Sequence, residues 1–336
     1  MPEIRVTIVI PTLAADSALD ECLRSLQRQT RRDFEVIVVD NSGKQLARHS
    51  PAAGWARIIE NQRNLGFGAA VNQGLYASQA PYLAALNDDA VAHPGWIEAL
   101  AGAMNARPDV GMCASQVRLA GEELLDSAGM LICADGSSKQ RGHRQPPFRF
   151  SQPEEVLLPS ASAALYRRAM LDQIGGFDED FFLYSEDTDL GLRARWAGWK
   201  CWYVPDAVVE HRYSHSAGRA SPLKAYYVER NRLFLIMKNF PAGALAKAKL
   251  AALARYFWHV VSLLDGRGAA SQFRAEGHSA WKLALFVLRA HLRLLPALPG
   301  LWRKRRQIRR TAKITPAQFR RLLQAYAISP REVAAL

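Results

Sequence analysis

Apolar positions in the first hundred residues follow two alternating rhythms. VTIVIPT and FEVIVVD are near-continuous β-branched runs, the pattern of parallel strands buried on both faces. Between them Leu19, Cys22, Leu23 and Leu26 recur at helical spacing, and Asp16 or Ser17 stands where an N-cap would satisfy the first N–H groups. ARIIE, a helical stretch after Gly68, and YLAALNDD repeat the theme. The alternation predicts an α/β fold with an open, mostly parallel sheet and helices on both faces. Asp40 and the triplet Asn87, Asp88 and Asp89 then emerge at carboxyl ends of strands, the edge where open α/β sheets bind ligands.

From about Asp109 the runs shorten. VGMCASQV, GMLICA, SASAALY, a helix at RRAMLDQI and a strand at KCWYVP form a less regular half, and ADGSSKQRGHRQPPF reads as a mobile Gly/Arg/Pro loop. Beyond about Pro222 the chain reads as helices. Arg255 and His259 interrupt Leu250–Leu264, and Lys282, Arg289 and Arg293 interrupt Trp281–Leu295. Neither offers the roughly 20 uninterrupted apolar residues of a membrane span. With RKRRQIRR following at 303–310, the second segment predicts an interfacial helix plus a polybasic patch. Packing on the catalytic domain with a solvated charged face is the open alternative.

Composition sharpens this division. At 336 residues and 49% hydrophobic, there is room for a catalytic domain and an appendage. The net charge of +13 is concentrated, because Lys224–Lys313 holds 19 Lys and Arg against three acids. That segment seeks an anionic surface. A nucleic-acid-binding protein would use it, yet leaves the acidic motifs without purpose, so no nucleic acid is expected. Four cysteines without CxxC spacing argue against a zinc site and a disulfide framework. The first residues lack a basic stretch before a long apolar one, so no secretory signal is expected and a cytoplasmic setting is.

Several residues have the character of chemistry. Asn87, Asp88 and Asp89 close an apolar strand, where one or two carboxylates can hold a hard cation while a diphosphate and water fill its other positions. Such triplets also occur in ordinary turns. Asp40, ending VIVVD, is placed to accept hydrogen bonds from a base or ribose, or else to form an Asx-turn with Asn41 and Ser42. NQRNLGFGAAVNQG joins asparagines, Asn64 and Asn72 among them, to glycines that permit close backbone approach and to a helix start suited to an anion. Glu186 and Asp187 precede TDLGLRARW, where a helix dipole would hold a carboxylate ionised as a general base requires. His211, in VVEHRYSH, is a candidate imidazole ligand or a structural histidine.

In order, VIPT, VVDNSG, NxGFGxxxNxG, LNDDA, GGFDEDFFLYSEDTDLGLRARWAG and VVEHRYSHSAG resemble the family 2 inverting glycosyltransferases of the GT-A fold, over roughly residues 4–240. The bacterial rhamnosyltransferase-like members are the nearest in pattern. The resemblance implies that Pro11, Thr12, Asp40 and Asn64 line a nucleoside pocket, with Asn72, Asn87 and Asp88 also assigned to the nucleotide. It implies that Asp89 and His211 bind Mn²⁺ or Mg²⁺, that Asp187 is the catalytic base, that Glu186 orients the acceptor, and that Arg230 reaches the diphosphate. Asn87 stands where a DxD motif has its first acid. Leu192 stands where a QxxRW motif has its glutamine, which points to transfer of one or a few sugars rather than processive synthesis.

The expected domains are 1–222, divided into a nucleotide-binding half (1–108) and an acceptor-side half (109–222), and a helical basic region, 223–336. The expected activity moves a sugar from a nucleotide-sugar, dTDP-rhamnose before a UDP-sugar or GDP-mannose, to a saccharide or lipid-linked saccharide in cell-surface glycan synthesis. The protein would lie peripherally on the inner face of the cell membrane. A metal-dependent nucleotidyltransferase or nucleotide-sugar hydrolase is the rival on the same sheet.

Overall fold

VTIVIPT forms β1 (Val6–Thr12), and FEVIVVD forms β2 (Phe34–Asp40) beside it in parallel register. The computed structural model describes residues 4–13, 17–212, 221–266, 268–279 and 281–335. α1 (Ala18–Gln27) joins the two strands; Ser17 is at its N-cap without a side-chain cap bond, and Asp16 lies outside the described residues. β3 (Arg57–Glu60), α2 (Phe67–Tyr76), β4 (Tyr82–Leu86), β5 (Ala90–Ala92) and α3 (Trp96–Asn105) follow. Then come β6 (Val110–Leu119), β7 (Leu125–Ser127), β8 (Met130–Cys133), β9 (Ser138–Gln140) and β10 (Glu154–Val156). β11 (Ala163–Arg167), α4 (Arg168–Ile174), α5 (Glu186–Trp196) and β12 (Lys200–His211) lead to the helical C-terminal region.

The chain divides into two compact units, the first comprising Met1–Met130, Gln140–Ala194 and Trp199–Tyr213. Its ten-stranded sheet runs β10-β12-β6-β11-β4-β1-β2-β3, with β5 on β12 and β7 on β6. β3, β2, β1 and β4 are parallel neighbours, β11 enters antiparallel between β4 and β6, and β12 lies parallel to β6. Ile8, Ile10, Val36 and Val38 face one core with α1 and α3, while Val9, Ile37 and Val39 face another with α2, α4 and α5. This is the period-two alternation of strands covered on both sides. Gly74 brings α2 so near β1 that a Cβ there would stand 2.3 Å from the Val9 side chain. All four cysteines are buried and free.

The second unit comprises Leu131–Lys139, Arg195–Gly198 and Ser214–Leu336. It holds α6 (Pro222–Asn239), α7 (Leu245–Leu264), α8 (Gly268–Ala275), α9 (Trp281–Thr311), α10 (Pro316–Ala325), β13 (Ala327–Ile328) and α11 (Pro330–Ala335). α9 is a single helix of 31 residues running through Pro296 and Pro299, where the sequence pattern separated a helix from a basic patch. Packing against α6 sustains it past the hydrogen bonds the two prolines remove. Among the described residues it is the one helix long and apolar enough to cross a membrane, which corrects the expectation that no segment qualifies.

This unit encloses a charge network. Arg255 donates to Asp135 at 2.5 Å and to Glu229 at 2.7 Å; Arg232 donates to Glu229 and, at 2.8 Å, to the Asp135 carbonyl. Tyr256 adds a hydroxyl to Glu229. Asp135 and Ser137 belong to the stretch expected as a mobile loop; here Asp135 is fully buried and its carboxylate accepts the Ser137 N–H at 3.0 Å. Trp196 is sandwiched between the ring of Phe319, 4.0 Å away, and the Arg309 guanidinium, 3.5 Å away.

Burial would raise the Glu229 carboxyl, but Arg232 and Arg255 outweigh it and hold the pKa down to about 2. Glu229→Gln leaves the two guanidiniums with Asp135 as their one shared anion and should cost about 3–5 kcal/mol in urea unfolding. Because the folded pKa is depressed, the wild-type contribution is complete above the ordinary glutamate value and is lost as pH falls towards about 2. The variant should lack that part of the acid limb.

Candidate active site

Strand ends of the first unit converge at one edge. Thr12 closes β1 opposite Asp40, which closes β2. β4 runs into Asn87, Asp88 and Asp89, and His211 closes β12 opposite Ala90 of β5. β11 begins at the same edge, where the Asn87 N–H donates to the Ser162 carbonyl at 2.9 Å. The Thr12 hydroxyl donates to Asp88 at 2.6 Å.

His211 is the centre of one cluster. Its Nδ1 lies 2.8 Å from Asp126 Oδ2, and its Nε2 lies 3.1 Å from Asn87 Nδ2 and 3.2 Å from Asp89 Oδ1. Burial would lower the pKa of this ring, but Asp126 and Asp89 together push it up to about 10. Asp89 Oδ1 is buried and finds no aligned hydrogen-bond donor, an unusual condition for a carboxylate oxygen. A cation between Asp89 and Nε2 would satisfy it, with Asp126 fixing the ring from behind as a carboxylate fixes a ligating histidine. Among the described residues no group of three or more His, Cys, Asp or Glu could hold a metal, so two protein ligands are what this cluster offers.

Glu186 and Asp187 open α5 and form the second cluster. Asp187 accepts the Ala161 N–H at 3.3 Å, the Thr188 N–H at 2.6 Å and the Thr188 hydroxyl at 3.2 Å. Ala161 directly precedes Ser162, whose carbonyl holds Asn87, so a single dipeptide joins the two clusters. Burial, then the neighbouring Asp187 charge, pushes Glu186 up to about 8, and Glu186 Oε2 is buried without a partner. Burial also raises Asp187 above the ordinary aspartate value, only partly offset by the hydrogen bonds it accepts. Desolvation outweighs the helix dipole at both acids. Both carboxyls of the pair are therefore raised by burial, Glu186 enough to hold its proton at neutral pH.

The turn before these acids is strained. Phe182 (φ 62), Tyr184 (φ 70) and Ser185 (φ 66) all occupy left-handed backbone space, which non-glycine residues enter only when their surroundings enforce it. Leu183 N–H donates to the Phe181 carbonyl across Phe182 at 2.7 Å, and Phe67 N–H donates to the Phe182 carbonyl at 2.9 Å. Gly66 (φ +91) makes this possible, since a Cβ there would stand 2.3 Å from that carbonyl oxygen.

The remaining residues singled out in the sequence divide into surface and support. Pro11 is half-buried and Asn64 is exposed, with Asn64 Oδ1 accepting the Gly66 N–H at 2.8 Å. Asp40 is fully buried, its oxygens accepting the Ser42 and Ala47 N–H groups at 2.7 and 2.8 Å, which is the Asx-turn arrangement. Asn72 is also buried. It donates to the Phe177 carbonyl and to Glu179 and accepts the Phe177 N–H, so all its groups tie α2 to the segment leading to the acids, where the sequence placed it on the nucleotide. Arg230 lies in the second unit, its guanidinium over the rings of Tyr227 at 4.6 Å and Phe234 at 5.0 Å. Residues 213–220, which complete the VVEHRYSHSAG motif, lie outside the described residues. Sequence reasoning missed Asp126 entirely, since nothing in LDSAG marks it, and missed the strained turn, for which the aromatic run FFLYS before two acids was the available cue.

The fold has recognisable company. A solved GalNAc-T7 with UDP, GalNAc and Mn²⁺ superposes with a TM-score of 0.57 at 14% identity, over 70% of this chain and 48% of that one, so the match spans about half of that protein. The mannosyltransferase PcManGT of Pyrobaculum calidifontis, solved with GDP-Man and Mn²⁺, superposes with a TM-score of 0.53 at 17% identity over 92% of this chain and 86% of its own. These neighbours show the GT-A fold. Residues 7–175 match glycosyl transferase family 2. An N-acetylglucosaminyl-diphospho-decaprenol L-rhamnosyltransferase of Mycobacterium tuberculosis is 32% identical over 253 residues, 66% of this chain and 82% of the relative. A pre-mycofactocin glycosyltransferase of the same organism is 27% identical over 80% of this chain and 58% of its own length. The chain belongs to glycosyltransferase family 2, among its rhamnosyltransferase-like members.

In the metal-free protein the His211 ring should titrate near 10. Asp126→Asn removes one of the two carboxylates responsible and should lower that value by about one pH unit or more, read from the imidazole proton shifts by NMR. An unchanged titration would assign the shift to Asp89 alone.

Proposed function

We propose that this glycosyltransferase transfers rhamnose, with inversion, from dTDP-rhamnose to a hydroxyl of a lipid-linked saccharide, using a divalent cation. UDP-sugars and GDP-mannose are the other donors compatible with the fold. The carrying observation is the convergence of Asp89 and His211 with Glu186 and Asp187 through Ala161, Ser162 and Asn87. The M. tuberculosis relative, whose name specifies L-rhamnose and a diphospho-decaprenol, supports the choice of sugar and acceptor.

Pro11, Thr12, Asn64, Asn87 and Asp88 form the nucleotide wall, with Asp40 fixing the loop behind it. Asp89 and His211 would hold Mn²⁺ or Mg²⁺, which stabilises charge developing on the departing nucleoside diphosphate. Asp126 keeps the imidazole turned so that Nε2 faces Asp89. Asp187 takes the proton of the acceptor hydroxyl as its oxygen attacks the anomeric carbon from the face opposite the leaving group. Glu186, protonated at neutral pH, has an O–H with which to hold the acceptor in place. In this reading the catalytic domain spans 1–222 with its nucleotide half at 1–108, and 223–336 attaches to the inner face of the cytoplasmic membrane.

Asp187→Asn should lower the transfer rate roughly 10²- to 10⁴-fold while calorimetry shows donor affinity unchanged; collapse of donor binding would contradict the assignment. In the wild-type enzyme, activity should fall with decreasing pH at a value above that of an ordinary aspartate, because burial raises Asp187 and the base acts only when ionised. A rate profile flat down to about pH 4 would exclude Asp187 as the titrating base.

A further inference from the structure

Along its outward face α9 changes from apolar to basic, with exposed Lys282, Arg289 and Arg293 on the flank of the apolar part. At about 100° per residue, Leu285, Leu288, Leu292 and Leu295 share one face, and two turns further on Arg303, Arg306 and Arg310 continue it. The four leucines are between 48% and 62% exposed, while Ala290, Leu301 and Ile308 are buried on the opposite side. On that opposite side Arg305 donates to the Met237 carbonyl of α6 at 3.0 Å. An ordinary amphipathic helix divides charge from apolar surface around its circumference. Here both lie on the same outward face, one after the other.

Over the basic end runs a groove of about 440 Å³, lined by Pro299, Trp302, Arg303, Arg306, Gln307 and Arg310. Arg303, Arg306 and Arg310 make no hydrogen bond or ion pair among the described residues. At spacings of three and four they repel one another. They span about 10 Å of helix, and guanidinium groups bind phosphate oxygens in paired hydrogen bonds. Three such groups exceed what one singly charged phosphodiester neutralises and suit the several charges of a diphosphate. The leucine row, which ends two turns before Arg303, suits a hydrocarbon chain joined to it.

We infer that this groove binds the diphosphate of a prenyl-type lipid, with the first prenyl units lying on Leu295 and Leu292. The choice of lipid rests on the acceptor reading above; the groove and its charge do not. Free pyrophosphate and bilayer phospholipid carry the same phosphate chemistry, and the test separates them.

Calorimetric titration of the full chain should show farnesyl diphosphate binding at least tenfold more tightly than inorganic pyrophosphate. The R303Q/R306Q/R310Q variant should lose at least tenfold of the farnesyl diphosphate affinity while retaining wild-type affinity for the donor nucleotide, which reports that it is folded. Equal affinity of wild type and variant for farnesyl diphosphate overturns the proposal. So does equal wild-type binding of pyrophosphate, or a substitution effect confined to phosphatidylglycerol vesicles, which would assign the row to a bilayer surface. The variant should also raise KM at least tenfold for a lipid-diphosphate-linked sugar and leave KM unchanged for an alkyl glycoside of that sugar. If the wild type transfers to neither acceptor yet binds farnesyl diphosphate through the three arginines, the acceptor reading fails and the groove stands.

Discussion

The hydrogen bond from His211 Nδ1 to Asp126 organises the first unit's working edge. It joins the last residue of β12 to β7, two strands that both lie against β6. With that bond made, the other ring nitrogen has one direction to face, towards Asn87 and Asp89. Asp89 is left with a buried oxygen 3.2 Å from Nε2 that no donor meets in good alignment. Such a group is costly unless something else completes it, and a carboxylate beside an imidazole is a donor set that divalent cations accept. The remaining machinery is placed relative to this cluster by backbone rather than by side chains. The Asn87 N–H holds Ser162, and the adjoining Ala161 N–H holds Asp187.

Strand endings were legible because buried parallel strands write themselves as unbroken β-branched runs, and polar residues after such runs fall at the ligand edge. Asp40 and Asn87–Asp89 were placed this way, whereas the acids at 186 and 187 were read from a helix start and Thr12 from the family resemblance. What could not be read was which polar groups the fold itself consumes. Asp40 and Asn72 look in sequence like Asp89 and Asn87, yet their hydrogen-bonding capacity goes to Ser42, Ala47, Phe177 and Glu179. Asp126 shows the converse. Its importance comes from a histidine 85 positions away, a separation that no local pattern encodes. The burial that raises the Asp187 carboxyl was likewise not legible from local dipole effects, because it is a property of the assembled core.

The basic C-terminal region illustrates the same limit in charge. Its excess of Lys and Arg reads as a single cationic surface, but Arg232, Arg255 and Arg305 are buried. Two of them are neutralised by Glu229 and Asp135, and Arg305 spends its donors on α6 carbonyls. Of the exposed arginines of α9, Arg303, Arg306 and Arg310 stand together at its basic end and Arg289 and Arg293 lie further back. The helix periodicity was legible; its continuation through Pro296 and Pro299 was not, because packing on α6 decides it. That continuation is what aligns the leucine row with the arginine row.

The most direct test of the metal cluster is anomalous diffraction at the manganese edge from crystals grown with Mn²⁺ and a nucleoside diphosphate. The account predicts one peak within about 2.5 Å of both Asp89 and the His211 imidazole, absent when His211 is replaced by alanine. A peak held by other side chains, or one that persists unchanged in the alanine variant, would contradict it.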